Sequence, residues 1–360
     1  MAEKKELIKI VGAKNVIDDP ESLAAYSCDN SFVHSVRPKY VVKPKNADEV
    51  QALVKWANET LTPLVPVSSG PPHFRGDTVP STGGAVIVDL SGMNKILRID
   101  RRNRVAMVEP GVTFAKLEPE LEKEGLRLNM PLLPRSSKSV TGSVLEREPV
   151  IMPVFQWAIS DPLSCIEVIF GTGDLFRTGA AAGPGTLEDQ WRVGQAQVNP
   201  MGPGQTDFAG VVQGSQGTMG IVTWATIRCE LLPTLKKPLL VSSQRLERLS
   251  EFIYRMLWLK LGDECLVLNN SNLAAILAKG PEEYNSIRAA LPPWLLFFCL
   301  AGYEYLPEER VDYQEKDMVE AAKRLGVEPV SAISWVSAYE LLRMLGKPSE
   351  EPYWKLRYKG

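Results

Sequence analysis

Histidine is nearly missing from this chain, which has only His34 and His73. With no HExxH and no paired-cysteine spacing, a catalytic zinc site has almost no ligands to draw on. A Ser-His-Asp hydrolase would have to recruit one of these two residues, and the GxSxG elbow is lacking. The absence of GxxxxGK[ST] excludes a P-loop nucleotide hydrolase. An excess of one charge is lacking too: 41 Lys plus Arg stand against 43 Asp plus Glu, for a formal net charge of -2. With no long basic stretch, there is no electrostatic footprint for nucleic acid. The longest apolar run, Trp294 to Ala301, falls far short of the roughly 18 residues of a membrane span and reads as a buried strand. The five cysteines are dispersed, odd in number and without CxxC, which speaks against a disulfide framework or a chain-borne iron–sulfur cluster. Charged residues Glu3, Lys4, Lys5, Glu6 and Lys9 interrupt any signal-peptide hydrophobic region, so a cytoplasmic location is expected.

What is there is an ordinary globular composition, 44% hydrophobic and 23% charged over 360 residues, enough for one large or two ordinary domains. From Lys39 to Val67 the chain reads strand, helix, strand: Tyr40 to Val42 is β-rich, Asn46 caps a helix with Glu49 three residues on, and Leu64 to Val67 is a second strand. A turn-rich loop follows, Ser68-Ser69-Gly70-Pro71-Pro72-His73-Phe74-Arg75-Gly76, before a strand at Ala85 to Asp89. Backbone N–H groups in such a loop can cradle an anion, although each proline removes one donor. An ordinary surface turn fits the same residues. Val105 to Val108 reads as a strand, Thr113 as the cap of a helix ended by Gly125, and residues 166–178 as a hairpin turning at Gly171-Thr172-Gly173-Asp174. Gly214 to Gly220 is glycine-punctuated without the GxGxxG spacing, and says only that the backbone passes close to something.

The stretch Pro233 to Pro238 reads as a boundary, after which longer helices alternate with apolar strands. Leu246, Leu249, Ile253, Met256 and Leu257 share a helical spacing, Pro307 to Leu325 is a second helix ended by Gly326, and strands are expected at Cys265 to Leu268 and Leu295 to Leu300. This region reads as a small α+β layer domain.

Taken in order, seven landmarks resemble the FAD-binding domain of the vanillyl-alcohol oxidase and p-cresol methylhydroxylase family, which includes glycolate and D-lactate dehydrogenases. They are Val41-Val42-Lys43-Pro44, Pro63-Leu64-Val65-Pro66, Val86 to Leu90 with Met93 to Ile96, Val108 to Thr113, Ser139 to Arg147, Glu167 to Ile169 with Gly173 to Gly179, and Gly217 to Thr223. The resemblance covers about residues 38 to 233. It implies an α+β protein: a two-subdomain FAD-binding domain at 1–233, a shortened α+β cap at 234–345, and a tail at 346–360 whose aromatic and basic residues suit docking. It implies FAD as cofactor, with Ser68, Ser69, Gly70, His73, Phe74 and Gly76 around the pyrophosphate. Gly142, Ser143, Gly220, Ile221 and Val222 would meet the flavin and the rest of the cofactor.

Four departures qualify what the resemblance implies. Pro71-Pro72 replaces a glycine-rich centre. His73 lies about one residue from where some relatives attach flavin covalently, which leaves covalent attachment, a non-covalent role and a solvent-facing histidine as alternatives. The catalytic carboxylate of one branch falls at Gln156, which cannot act as a base at neutral pH, and leaves Asp161 as the nearest ionisable substitute, although Asp before Pro162 is also a turn former. The cap is short and contains no histidine. These features imply an FAD-dependent oxidoreductase, a dehydrogenase more than an oxidase, acting on a small alcohol, hydroxy acid or aromatic substrate. A second subunit or a second copy would complete the cap and take the electrons. The alternative is a non-catalytic or electron-relay FAD subunit. Phe155, Trp157, Trp191 and Trp294 to Phe298 could line an aromatic pocket or belong to the core, and Arg135 and Arg192 could meet a substrate carboxylate or be structural.

Overall fold

The computed structural model describes residues 2–71, 73, 78–152, 161–204 and 206–348. It is a mixed α+β chain of two compact units, and neither is a single stretch of sequence. The first comprises Met1–Leu128, Ser136–Glu148 and Asp161–Glu230, and the second Asn129–Arg135, Pro149–Ser160 and Leu231–Gly360. Among the described residues no helix is long and apolar enough to cross a membrane.

The first unit has two sheets. In one, β1 (Val16–Ile17), β2 (Tyr40–Val42), β3 (Leu64–Val67) and β4 (Val86–Asp89) lie in the order β1-β2-β4-β3, with β2 and β3 both parallel to β4. The helix Ala47–Thr60 joins β2 to β3 as the sequence pattern predicts. Its start is held by Asn46, whose side chain accepts from Glu49 N at 2.9 Å, while the Glu49 carboxylate accepts from Lys45 N at 2.8 Å. Val50, Leu53, Val54 and Ala57 are buried on one face, together with Val86 and Val88 of β4. The intervening Ile87 faces the other way, onto Leu23, Tyr26, Val41 and Val67. A parallel strand covered on both faces is apolar throughout, which is why Val86-Ile87-Val88 shows no polar alternation.

The second sheet runs β5 (Ile96–Asp100), β6 (Val105–Val108), β10 (Gly220–Leu231), β8 (Leu163–Phe170) and β9 (Leu175–Arg177) in space, with β7 (Leu126–Leu128) also paired to β10. The hairpin β8–β9 turns where glycine permits it: Gly173 has φ 86° and donates to Phe170 O at 2.8 Å. The helix Phe114–Lys123 begins after Thr113, but the Thr113 hydroxyl makes no capping bond. Thr113 instead forms a bridge with Ser139.

The second unit is built on the antiparallel sheet β11 (Leu235–Ser243), β13 (Trp294–Gly302), β12 (Glu264–Asn269), in that spatial order, with a small ladder of β14 (Ala332–Ile333) and β15 (Val336–Ser337). The central β13 separates two cores by alternation. Leu295, Phe297 and Cys299 meet the helices Asn270–Leu277, Tyr284–Ala290 and Ala338–Leu345, while Leu296, Phe298 and Leu300 meet Leu246–Trp258 and Pro307–Leu325. Phe297 and Phe298 are therefore core, at 0% and 1% exposure.

The second unit resumes at Leu231, shortly before the Pro233–Pro238 stretch, and Pro238 itself sits inside the nine-residue β11, where an edge strand tolerates a residue without an N–H. One expectation changes here. The helix Leu246–Trp258 buries Leu249, Phe252 and Met256, whereas Leu246 and Leu257 are exposed. The helix Pro307–Leu325 ends at Gly326, in the left-handed region at φ 64°, as its sequence predicts.

Candidate functional site

A cleft of about 110 Å³ opens in the first unit. Its walls come from segments far apart in the chain: the end of β3 (Pro66, Val67) with Ser68, the short helix Val140–Leu145 with Glu146, and the turn Gly214–Gly217 leading to Gly220, Ile221 and Val222 of β10. Leu90, Pro110 and Val212 complete the lining.

The close approach of these walls accounts for two of the glycines. At Gly217, φ is 80° and an added Cβ would stand 2.5 Å from Pro66 Cγ. At Gly142 a Cβ would stand 2.8 Å from Ser68 Oγ. The junction is tied by Ser139, whose hydroxyl donates to Pro110 O at 2.5 Å and accepts from Gly142 N at 2.9 Å, and whose N–H donates to Ser69 Oγ at 2.9 Å. Thr141 lines the cleft, is 0% exposed, and its hydroxyl has no hydrogen-bond partner among the described residues.

Ser69 and His73 are not among the residues lining this cleft. The His73 ring is 5% exposed; its Nε2, assigned as the protonated nitrogen, donates to Ser69 O at 2.9 Å. It lies beside the Tyr26 ring with centroids 5.8 Å apart, and Tyr26 donates to buried Asp89 at 2.7 Å. Burial, and then the charge of Asp89, raise the pKa of the Tyr26 hydroxyl. The solvent-facing alternative for His73 is thus overturned: an aromatic cluster and the loop's own carbonyl hold the ring inside.

Among the other residues singled out in the sequence, Ser68, Gly142, Gly220, Ile221 and Val222 line the cleft. Gly70 has open space where a side chain would begin. Ser143 is buried and donates to Glu148, whose other oxygen meets Lys138 at 2.8 Å; Lys138 also meets Glu146 at 2.7 Å. Phe74, Gly76 and Gln156, with Phe155 and Trp157, lie outside the described residues. Asp161 forms a turn, its Oδ1 accepting from Leu163 N and from Gln213 Nε2, each at 3.0 Å, and burial raises its carboxyl pKa. Arg192 is an exposed partner of Asp189, and Trp191 donates to Gln197 at 2.9 Å. Sequence reasoning passed over Thr141, Leu145 and the Gly214–Gly217 turn as parts of one surface. The glycine punctuation of the turn and the Ser139–Arg147 landmark were the available signals.

The lining mixes apolar and polar groups. Leu90, Leu145, Val212, Ile221 and Val222 offer apolar surface, while Ser68 and Thr141 carry hydroxyls. The fold is that of the p-cresol methylhydroxylase and vanillyl-alcohol oxidase type of FAD-binding protein. The structure superposes on p-cresol methylhydroxylase with substrate bound at a TM-score of 0.79, with 22% identity over 97% of this chain and 70% of that one. A 4-ethylphenol oxidase from Gulosibacter chungangensis gives 0.75 with 19% identity, over the same shares. In sequence, residues 38–179 match the FAD binding domain family, a match that indicates FAD as the cofactor. A glycolate oxidase subunit of Bacillus subtilis (strain 168) is 29% identical over 252 residues, 69% of this chain and 49% of its own length. A D-2-hydroxyglutarate dehydrogenase of Stutzerimonas stutzeri (strain A1501) is 26% identical over 307 residues, 85% of this chain and 61% of its own. The flavoprotein subunit of 4-cresol dehydrogenase from Pseudomonas putida is 29% identical over 188 residues, 51% and 35% respectively. The chain therefore spans between about a third and three fifths of these curated relatives.

Proposed function

We propose that the chain is the FAD-carrying part of a dehydrogenase that oxidises a small alcohol, hydroxy acid or aromatic substrate, and that a second polypeptide or a second copy completes the substrate cavity and receives the electrons. The observation that carries this is the cleft itself, whose walls draw on the Pro63–Pro66, Val108–Thr113, Ser139–Arg147 and Gly217–Thr223 landmarks. Bound FAD supplies a two-electron acceptor that takes a hydride from substrate carbon and later releases the electrons.

The work of the chain is binding and orientation. Pro66, Gly142 and Gly217 hold the walls close together, Leu90, Val212, Ile221 and Val222 exclude water, and Ser68 places a hydroxyl at the rim. Lys138 neutralises part of the charge of Glu146 and Glu148, and so keeps an unpaired carboxylate away from an anionic cofactor. Support for a partner comes from two relatives that are named as subunits, a glycolate oxidase subunit and a 4-cresol dehydrogenase flavoprotein subunit. The substrates named for the relatives, among them glycolate, D-lactate and 4-cresol, set the first panel to test.

The test is an absorbance spectrum and subunit analysis of the purified protein, followed by anaerobic addition of those substrates. A yellow protein whose flavin bleaches with one of them supports the proposal. A flavin reduced only by a co-purifying partner or by dithionite supports an electron-relay subunit instead, a reading favoured by the second unit having no histidine. A colourless protein that cannot be reconstituted with FAD overturns both.

A further inference from the structure

Val212 and Gly214 both line the cleft, whereas Gln213 between them does not and is only 8% exposed. Its amide is nevertheless hydrogen-bonded at every site it has. Nε2 donates to Val144 O at 3.3 Å and to Asp161 Oδ1 at 3.0 Å, and Oε1 accepts from Arg147 Nε at 3.3 Å and Nη2 at 3.2 Å. Two donors and two lone pairs are all that a primary amide offers. The partners also fix which end is oxygen: a reversed amide would set its oxygen against a carbonyl and a carboxylate, and its NH2 against a guanidinium.

These partners belong to separate parts of the wall. Val144 stands in the last turn of the helix Val140–Leu145, where carbonyls lack partners within the helix. Gln213 donates to the Val144 carbonyl from its side chain, and Gly214 N donates to the next one, Leu145 O, at 2.8 Å. The helix and the turn supply Gly142, Leu145, Gly214 and Gly217 to the lining, so two pieces of the wall are bonded at successive peptide groups. Arg147 follows the helix at φ 55°, in the left-handed region that disfavours a side chain, and the bonds to Gln213 hold it there. Asp161, whose Oδ1 also accepts from Leu163 N at 3.0 Å, fastens the amide to the start of β8.

We infer that Gln213 is a cofactor-positioning residue: without touching FAD, its amide sets the spacing between the helix Val140–Leu145 and the turn Gly214–Gly217, so that the walls are in place before FAD arrives. The inference rests on the FAD reading above. A chain whose walls are correctly placed for only a fraction of the time binds with an affinity reduced by that fraction. Loss of the amide must therefore weaken FAD binding beyond what an equal loss of stability elsewhere would do.

The experiment compares the 360-residue chain with Gln213→Met, which keeps the side-chain length and removes all four bonds. Gln190→Met is the control: Gln190 is 2% exposed, donates to Ala181 O at 3.2 Å and Gly183 O at 2.9 Å, accepts from Gln197 at 2.9 Å, and does not line the cleft. FAD affinity is read from flavin fluorescence during titration of flavin-stripped protein, with melting temperature measured on the same samples. Gln213→Met is expected to bind FAD about ten-fold more weakly, the scale of one hydrogen bond. Gln190→Met should bind within about two-fold of wild type at a comparable drop in melting temperature. Gln213→Glu adds a readout that general destabilisation does not move. Its carboxylate would face that of Asp161, with Arg147 on its other side and Asp207 adding negative field at Asp161. A proton taken up by either carboxylate restores a hydrogen bond between them, and two carboxylates sharing a site take up that proton readily. The affinity gap between wild type and Gln213→Glu should narrow several-fold from about pH 8 to about pH 5.5. Gln213→Met that binds FAD within about two-fold of wild type overturns the inference and leaves the FAD reading intact, as does an equal loss of affinity in Gln190→Met. A Gln213→Glu gap that is the same at both pH values overturns it too, and decides the matter if Gln213→Met fails to fold. Wild type that takes up no FAD refutes the FAD reading itself, and the inference with it.

Discussion

Replacing Gly217 by alanine tests the contact on which the shape of the cleft depends. Two costs are separable. An L-residue at φ 80° carries about 1–2 kcal/mol of backbone strain. Beyond that, the new Cβ would stand 2.5 Å from Pro66 Cγ and 2.9 Å from Cδ, distances that force the turn and the end of β3 apart. Overpacking of this kind costs about 1–3 kcal/mol. Gly214 provides the control: its φ is 72°, and nothing lies within 4 Å of an added Cβ. Gly214→Ala should therefore lose only the strain, about 1–2 kcal/mol, and Gly217→Ala about 2–5 kcal/mol. Pro66→Ala combined with Gly217→Ala should recover most of the difference, because the ring atoms that clash are gone. Urea denaturation of the three single variants and the double variant gives the coupling energy directly. FAD titration should show weaker binding for Gly217→Ala and partial recovery in the double variant. Equal destabilisation by the two glycine substitutions, or a zero coupling energy with Pro66, would refute the argument that this contact sets the wall.

Further outcomes follow from the same geometry. His73→Ala should loosen the loop by removing the bond to Ser69 O and the contact with Tyr26, and so weaken FAD binding; acid precipitation should release flavin from wild type and variant alike, whereas colour kept only in the wild-type pellet would make His73 a covalent anchor. Asp161→Asn keeps an oxygen for Leu163 N and Gln213 while removing a partly buried charge. Because burial raises the Asp161 pKa in the folded state, wild type loses stability as pH rises from the unfolded value near 3.9 through the folded one. The variant should therefore gain on wild type as pH rises above about 3.9, which melting curves check, and a turnover loss with FAD binding intact would instead make Asp161 catalytic. Among the cysteines, burial pushes Cys165 up to about 11 and Cys229 and Cys265 up to about 12, while Cys28 is exposed. A disulfide reagent at pH 8 should titrate Cys28 first and those three only on unfolding; rapid reaction of all five would contradict the packing.

Much of the first unit is legible in the chain because its signals are local. Asn46 and Glu49 mark a helix start, Gly173 marks a hairpin turn, and Gly326 ends a helix, each through bonds or backbone angles within a few residues. The order of the seven landmarks carried the FAD-binding assignment for the same reason: each is a short strand or turn whose residues speak for themselves. The helix Leu246–Trp258 was legible as a helix, but its buried face was not. Leu246 and Leu257 fit the apolar spacing as well as Phe252 does, and only the position of β13 and the helix Pro307–Leu325 decides which side is covered.

Sequence by itself thus determined the element types, the FAD-binding class and the shortage of histidine and metal-ligand patterns. Tertiary structure decided which residues form the cleft. Pro66 meets Gly217, and Ser68 meets Gly142, because the two sheets of the first unit and the helix Val140–Leu145, distant from one another in the chain, come together in space. It also turned His73 inward onto Tyr26 and left the Thr141 hydroxyl without a partner among the described residues. Burial and hydrogen-bond satisfaction depend on neighbours supplied by other segments, so they are properties of the packed sheets rather than of any local run of residues.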